Sequence, residues 1–218
     1  MPATPRRAPR QRSPETTVLL VRHGRTPTTG KALPGQAPGL HLSEEGQGQA
    51  ARVAERIAGI ASPPGAVYAS PLERARETAA PIARALGLRV RTERGLMDCD
   101  IGEWTGMSLA RAARKREWPT VQRWPGGFRF PGGESFSEMT TRATEAVLRL
   151  AAAHPGQTIV AVSHADPIRA VLAVAAGVPI DLFQRLTVST CSVSAVAYSP
   201  AGPRVLCMNV SADGLVAP

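Results

Sequence analysis

Two histidines in this chain of 218 residues stand where chemistry is open to them. His23 closes the run Thr17-Val-Leu-Leu-Val-Arg22 and is followed by Gly24, while His164 closes Thr158-Ile-Val-Ala-Val-Ser163 and is followed by Ala165. Apolar, β-branched runs of this length suit strands covered on both faces. In an open α/β sheet the carboxyl ends of such strands form the crevice that binds ligands, so the two histidines converge if their strands are neighbours. A third run, Ala66 to Ala69, leads into Ser70-Pro-Leu-Glu-Arg74-Ala-Arg76, which puts Arg74 on the first turn of a helix at the same rim. Arg22, His23, Arg74 and His164 then form one candidate cationic cluster. A dianion such as phosphate is its natural ligand, because the guanidinium fork matches phosphate oxygens and is always charged. A neutral imidazole adds a ring nitrogen that attacks phosphorus and later leaves, so one histidine serves as nucleophile while the other hydrogen-bonds the transferring group.

Positioning these groups falls to an α/β domain, and from Thr16 onward the composition turns to alternating apolar runs and amphipathic stretches. Leu88 to Thr92, Ser192 to Tyr198 and Val205 to Val210 complete a sheet of about six strands. One helix is expected after Ser43 as N-cap, where Ala50, Val53, Ala54, Ile57 and Ala58 share an apolar face. Others are expected from Leu72 to Leu86, from Ser108 to Arg116, and through Phe136, Met139, Ala143, Val147 and Leu150. A fifth should run from Pro167 to Ala176, with proline at its first position. Gly87 and Gly177 are the stops. Trp118 to Gly133, rich in Pro, Gly and Trp, breaks all periodicity and reads as a long excursion over the sheet that can form part of a pocket wall.

Five blocks in order carry a resemblance to a known family. They are Arg22-His23-Gly24-Arg25-Thr26, Ser70-Pro-Leu-Glu-Arg74-Ala-Arg-Glu-Thr78, Leu96-Met97-Asp98 with Gly102-Glu-Trp104-Thr-Gly106, Pro131-Gly-Gly-Glu-Ser135, and Ser163-His164. Together they resemble the histidine phosphatase superfamily in its phosphoglycerate-mutase-like branch, with matching order and spacing from Thr17 to about Arg169. The resemblance implies a three-layer αβα sandwich with a mostly parallel central sheet, and a phosphohistidine formed on His23. It further implies that Arg22, Arg74 and His164 hold the phosphoryl oxygens, and Thr26 matches a hydroxyl position that touches phosphate. Asp98 stands where the family carries a glutamate proton donor, one methylene longer, with Asp100 and Glu103 as competitors for that role. Ala165 replaces a glycine but keeps its backbone N–H for phosphate, Gly24 opens the loop around the phosphoryl group, and Thr29 replaces an asparagine. The mutase pattern has an arginine, a tyrosine and a lysine where this chain has Cys99, Ile101 and Leu109. Without those groups a small carboxylate acid is not held for re-phosphorylation, so hydrolysis of a phosphomonoester is expected over phosphoglycerate mutase or other phosphomutase activity, and over a non-catalytic phosphate-ligand sensor.

Composition narrows the remaining classes. Residues 1–15 read as a disordered basic tail carrying Arg6, Arg7, Arg10 and Arg12, which accounts for part of the net charge of +9, and residues 16–218 read as a single catalytic domain. With 4% aromatic residues and no zinc-finger or RRM pattern, no nucleic-acid partner is expected. No apolar stretch reaches the length of a membrane span and no secretory h-region is present, so no membrane partner is expected. Cys99, Cys191 and Cys207 are odd in number and far apart, which suits a reduced, cytoplasmic protein. His23, His164, Asp98, Asp100 and Asp166 include ligand types for a metal but lack H-x-x-x-H or H-E-x-x-H spacing, so neither metal nor other cofactor is expected. His41 and His154 read as satisfied, partly buried side chains, and Arg111, Arg114, Lys115, Arg116 and Arg123 as a solvated face or a rim that guides anions. The partner expected is a small phosphorylated molecule, with leaving-group contacts in the Lys31 to Leu40 loop and the Trp118 to Gly133 excursion; nothing in the sequence sets an oligomeric state.

Overall fold

The computed structural model describes residues 15–211. The tail expected over 1–15 lies outside the described residues except for Glu15, whose carboxylate pairs with Arg204 at 3.0 Å.

Six strands form one sheet in the order β3-β2-β4-β1-β5-β6: β1 (Thr16–Arg22), β2 (Ala66–Ala69), β3 (Val90–Thr92), β4 (Thr158–Ser163), β5 (Val193–Ser199) and β6 (Gly202–Val210). The first four are parallel, and β5 and β6 add an antiparallel edge. Each central strand is apolar on both faces because both are covered. Leu19, Val21, Val67, Ala69, Val160 and Val162 point toward α1 (Glu44–Ala58) and α2 (Glu73–Ala85). Val18, Leu20, Ile159 and Ala161 point the other way, toward α5 (Phe136–Ala152) and α6 (Ala165–Ala176). This is the expected three-layer αβα sandwich with a mostly parallel sheet. No helix among the described residues is long and apolar enough to cross a membrane.

Local chemistry explains most element ends. Ser43 caps α1 by accepting from Gly46 N, Ser135 and Glu138 form a reciprocal capping box on α5, and Gly177 closes α6 in the left-handed conformation at φ 70°. Three expectations shift. The helix expected over Ser108 to Arg116 is only α3 (Leu109–Ala112), capped by Ser108. The Trp118 to Gly133 excursion is not wholly irregular, since α4 (Trp118–Arg123) accepts Pro119 in its first turn, where no N–H partner is lost, and a 3-10 turn follows at Pro125–Gly127. α6 starts at Ala165 rather than Pro167, with His164 as N-cap, so proline sits inside the first turn instead of opening it.

The excursion contributes to a third apolar cluster, where Trp104, Phe128, Phe130, Phe136 and Phe183 interlock with ring centroids 4.9–5.7 Å apart at their nearest pairings. The loop after β1 is held from the other side by α1. A Cβ on Gly46 would lie 2.0 Å from the Arg25 carbonyl oxygen, and one on Gly24 2.6 Å from the Gly46 carbonyl oxygen. Gly46→Ala gains about 1 kcal/mol of helix propensity, but a clash against backbone costs about 1–3 kcal/mol or more. The variant is therefore expected to unfold at lower urea concentration than the parent with an unchanged m-value, measured by circular dichroism; equal or higher stability would show that α1 does not pin this loop.

Candidate active site

The register of β1 against β4 pairs Arg22 with Ser163, so the chain leaves both strands at one level and His23 N–H donates to the Ser163 carbonyl at 2.9 Å. The two imidazoles lie 5.1 Å apart between centroids at 58°. Their backbones give them different tasks. His23 Nδ1 lies 2.7 Å from the Gly24 carbonyl oxygen. A carbonyl only accepts, so Nδ1 carries the proton and Nε2 keeps its lone pair. Burial, reinforced by the charges of Arg22 and Arg74, pushes the His23 pKa down to about 3, leaving the ring neutral and nucleophilic. His164, fully buried, has Nε2 2.8 Å from Ser70 Oγ, while Nδ1 makes no hydrogen bond. Burial first, then Arg74 and His23, holds its pKa well below the ordinary histidine value.

Arg74 is 0% exposed, yet only one of its nitrogens is engaged: Nη2 donates to the Gly35 carbonyl at 2.7 Å and to Asp98 Oδ2 at 3.1 Å. Arg22 donates from Nη1 to the Val188 carbonyl at 2.7 Å. Among the described residues six buried side-chain polar atoms lack a hydrogen-bond partner, and four of them are Arg22 Nε, Arg74 Nε, Arg74 Nη1 and His164 Nδ1. Orphaned buried donors are costly singly. Gathered at the ends of β1 and β4 and on the first turn of the helix after β2, they describe a receptor for an anion.

The one carboxylate in the cluster is Asp98, with its side chain 17% exposed and Oδ2 3.7 Å from His164 Nδ1. Burial raises its pKa to about 6 against the lowering influence of Arg74, and Asp166 adds to the rise. Its backbone is fixed more firmly than its carboxyl. Arg142 on α5 donates to the carbonyls of Gly95, Met97 and Asp98 and is braced by Glu134 at 2.6 Å. Gln36 Nε2 adds a further bond to the Asp98 carbonyl at 2.9 Å. The cleft above the cluster holds about 290 Å³. One wall comes from the loop after β1, where the buried Thr26 hydroxyl is within 3.2 Å of Thr28 and 3.0 Å of Thr29.

The sequence profile of the histidine phosphatase superfamily (branch 1) matches residues 18–211. The chain belongs to this superfamily. A bifunctional protein of Mycobacterium tuberculosis is 34% identical over 199 residues, covering 86% of this chain and 51% of that protein, so the chain spans about half the length of that relative. Phosphoserine phosphatase 1 of Hydrogenobacter thermophilus is 30% identical over 202 residues, 89% of this chain and 92% of its own. A mycobacterial glucosyl-3-phosphoglycerate phosphatase superposes with a TM-score of 0.80 at 25% identity, covering 90% of this chain and 100% of that one.

In this histidine phosphatase, Arg22, His23, Arg74, Asp98 and His164 come together as the sequence led one to expect, and Thr26, Thr29 and Ala165 border the same cleft. Gly24 plays another part: its N–H donates to Thr78 Oγ1 at 3.0 Å, and Thr78 in turn donates to the Arg74 carbonyl, tying the β1 loop to α2. Asp100 is turned away to accept from Gly102 N and Glu103 is exposed, which leaves Asp98 as the carboxylate beside Arg74. The Trp118 to Gly133 stretch does not line the cleft, nor do Arg111, Arg114, Lys115, Arg116 and Arg123; Lys115 instead sits 5.3 Å from the Trp104 ring centroid. Of the Lys31 to Leu40 loop, Ala32, Leu33, Pro34 and Gly35 do line it. His154 is satisfied by the Tyr68 hydroxyl at 2.9 Å, whereas His41 is exposed in a pair with Glu77 rather than partly buried. Sequence reading missed Ser70, Thr78, Arg142 and Glu134 as positioning groups. Ser70 carried a signal, being the first residue after β2 at the same rim; Arg142 carried none, since an arginine on a helix reads as solvated.

These environments are measurable without substrate. In 15N-edited spectra His23 Nε2 is expected to remain an unprotonated nitrogen from pH 8 down to pH 4, and the Asp98 carboxyl carbon to titrate near pH 6, neutral below and charged above. A His23 that protonates near pH 6.5, or an Asp98 that titrates below pH 4, would contradict the arrangement.

Proposed function

We propose that this histidine phosphatase hydrolyses a phosphomonoester through a covalent phosphohistidine on His23, with Asp98 as proton donor. The observation that carries the reading is the set of four buried, unpartnered nitrogens, three of them guanidinium donors, clustered with a histidine whose Nε2 lone pair is free. In the first step Nε2 attacks phosphorus, the bond to the ester oxygen breaks, and Asp98 gives that oxygen its proton. In the second, the Asp98 carboxylate takes a proton from water, the water oxygen bonds to phosphorus, and the P–N bond returns its electrons to Nε2. Arg22 and Arg74 neutralise the equatorial oxygens and His164 hydrogen-bonds to them in a water-poor site, where fixed donors are worth most. Thr26 and Thr29 supply hydroxyls at the rim, and the Ala165 N–H stands at the positive end of α6, which favours negative charge. A carboxyl poised near 6 is protonated often enough to act as an acid and ionised often enough to act as a base, and a bound dianion raises it further.

Hydrolysis is favoured over transfer by the wall of the cleft. Cys99, Ile101 and Leu109, which replace the charged and phenolic groups of a mutase, all line it. The proposed enzyme is one domain over residues 16–218, acts on a small phosphorylated molecule without a metal or other cofactor, and works in the cytoplasm, in keeping with Cys99, Cys191 and Cys207 forming no disulfide.

His23→Ala is expected to abolish turnover and to leave no acid-labile phosphoprotein in rapid quench with labelled substrate. Asp98→Asn should slow an alkyl phosphate by roughly 10²–10⁴-fold, with a smaller loss for p-nitrophenyl phosphate, whose leaving group needs no proton. Label on His164, or full activity in Asp98→Asn, would reverse the corresponding role. In the parent, kcat/KM for an alkyl ester should fall as pH rises past the point where Asp98 loses its proton, and that limb should vanish in Asp98→Asn. Activity should survive a chelator; loss that is restored by a divalent metal would reject the cofactor-free reading.

A further inference from the structure

We infer that Asp166, braced by Arg169 at the mouth of the cleft, makes the site selective for phosphomonoesters whose leaving group carries no negative charge. The inference rests on the phosphatase reading and narrows its substrate. Asp166 and Arg169 lie on the first and second turns of α6 and both line the cleft. Asp166 Oδ1 accepts from Arg169 Nη1 at 2.9 Å, and Arg169 Nε donates to the Leu186 carbonyl at 2.9 Å. The side chains are 32% and 25% exposed, so the pair faces the entrance rather than the interior.

The charges that line this cleft leave nothing for a second anion. Of the two arginines that line it, Arg22 belongs with the buried Arg74 to the phosphoryl cluster, and the charge of Arg169 is offset by Asp166. Beyond the cluster the lining is apolar at Leu33, Pro34, Ile101 and Leu109, with hydroxyls at Thr28 and Thr29. A carboxylate or second phosphate on the leaving group would meet apolar wall and the Asp166 carboxylate, whose field is felt as far as Asp98 and Arg22. A hydroxyl in the same place meets an acceptor. The only hydrogen-bond partner of the Asp166 carboxylate among the described residues is Arg169, through Oδ1, so Oδ2 remains available to it. A like charge at such a partly exposed position costs on the order of tenfold in affinity. As a first-turn acid Asp166 also suits the helix dipole, but that role acts on stability and on every substrate alike.

Glycerol 3-phosphate and 3-phosphoglycerate form a matched pair, differing by a hydroxymethyl against a carboxylate. The parent enzyme should prefer glycerol 3-phosphate by tenfold or more in kcat/KM. Asp166→Asn, and Asp166→Ser as a second variant, should bring the ratio toward one, chiefly by lowering KM for 3-phosphoglycerate, with folding checked by thermal melting. A parent that turns over 3-phosphoglycerate equally well or better would overturn the inference, as would an unchanged ratio in both folded variants. A carboxylate preference lost in Lys31→Ala would also overturn it, by placing a recognising cation on the exposed Lys31 beside the cleft. Phosphate release from p-nitrophenyl phosphate in the same preparations separates the two levels: its absence sinks the phosphatase reading and the inference with it, whereas its presence alongside an unselective parent sinks the inference alone.

Discussion

Arg74, His23 and His164 are shut away from water beside Arg22, and the electrostatic cost of that burial governs how the surrounding chain is built. Taking a single ion out of water is expensive, and like charges packed together multiply the expense. Two features contain it. Both imidazoles are kept neutral by the same burial, so the cluster holds two positive charges and not four. Backbone carbonyls of Gly35, Val188 and Gly24, from three separate loops, then solvate the guanidiniums and the first ring where water would otherwise do so. Asp98 supplies a partial counter-charge to Arg74. What is left over, a positive potential with donors unspent, is the binding energy offered to a dianion.

The same constraint explains the three layers. Donors converge only if β1 and β4 end level and β2 delivers its helix at the same rim, which the parallel register of β2, β4 and β1 enforces. Thr78, reaching from α2 to the Gly24 N–H, locks the helix that bears Arg74 to the loop that bears His23. On the far side Arg142 collects the carbonyls of Gly95, Met97 and Asp98, so the segment with Asp98 rides on α5. The aromatic cluster of Trp104, Phe128, Phe130, Phe136 and Phe183 supports that segment from beneath without entering the cleft.

Much of this was legible in the residues alone. Strands with two buried faces are written as unbroken apolar runs, and caps such as Ser43 and Ser135 are local chemistry, so both survive translation into structure. Catalytic candidates at strand ends are legible for the same reason, because the fold confines ligands to one edge of the sheet. Positioning residues are not. Arg142, Glu134 and Thr78 act through backbone groups distant in sequence, and nothing about their neighbours distinguishes them from surface charge or a helical threonine. The Trp118 to Gly133 stretch failed differently: its prolines and glycines read as irregular, although Pro119 is at home in the first turn of α4 and Trp118, Phe128 and Phe130 pack into the core rather than lining the cleft.

The hydrogen bond from His23 Nδ1 to the carbonyl of its own neighbour fixes more than a tautomer. It leaves a single ring nitrogen able to bond to phosphorus, so on the proposed mechanism the intermediate would be the Nε2-linked isomer of phosphohistidine, chemically distinct from the Nδ1-linked one. On the proposed mechanism the ester oxygen would depart opposite the ring, and the incoming water would return along that same path. Each displacement inverts the arrangement of oxygens about phosphorus. Two inversions restore it, so on that mechanism a phosphoryl group made chiral with oxygen isotopes and sulfur would leave with its original handedness.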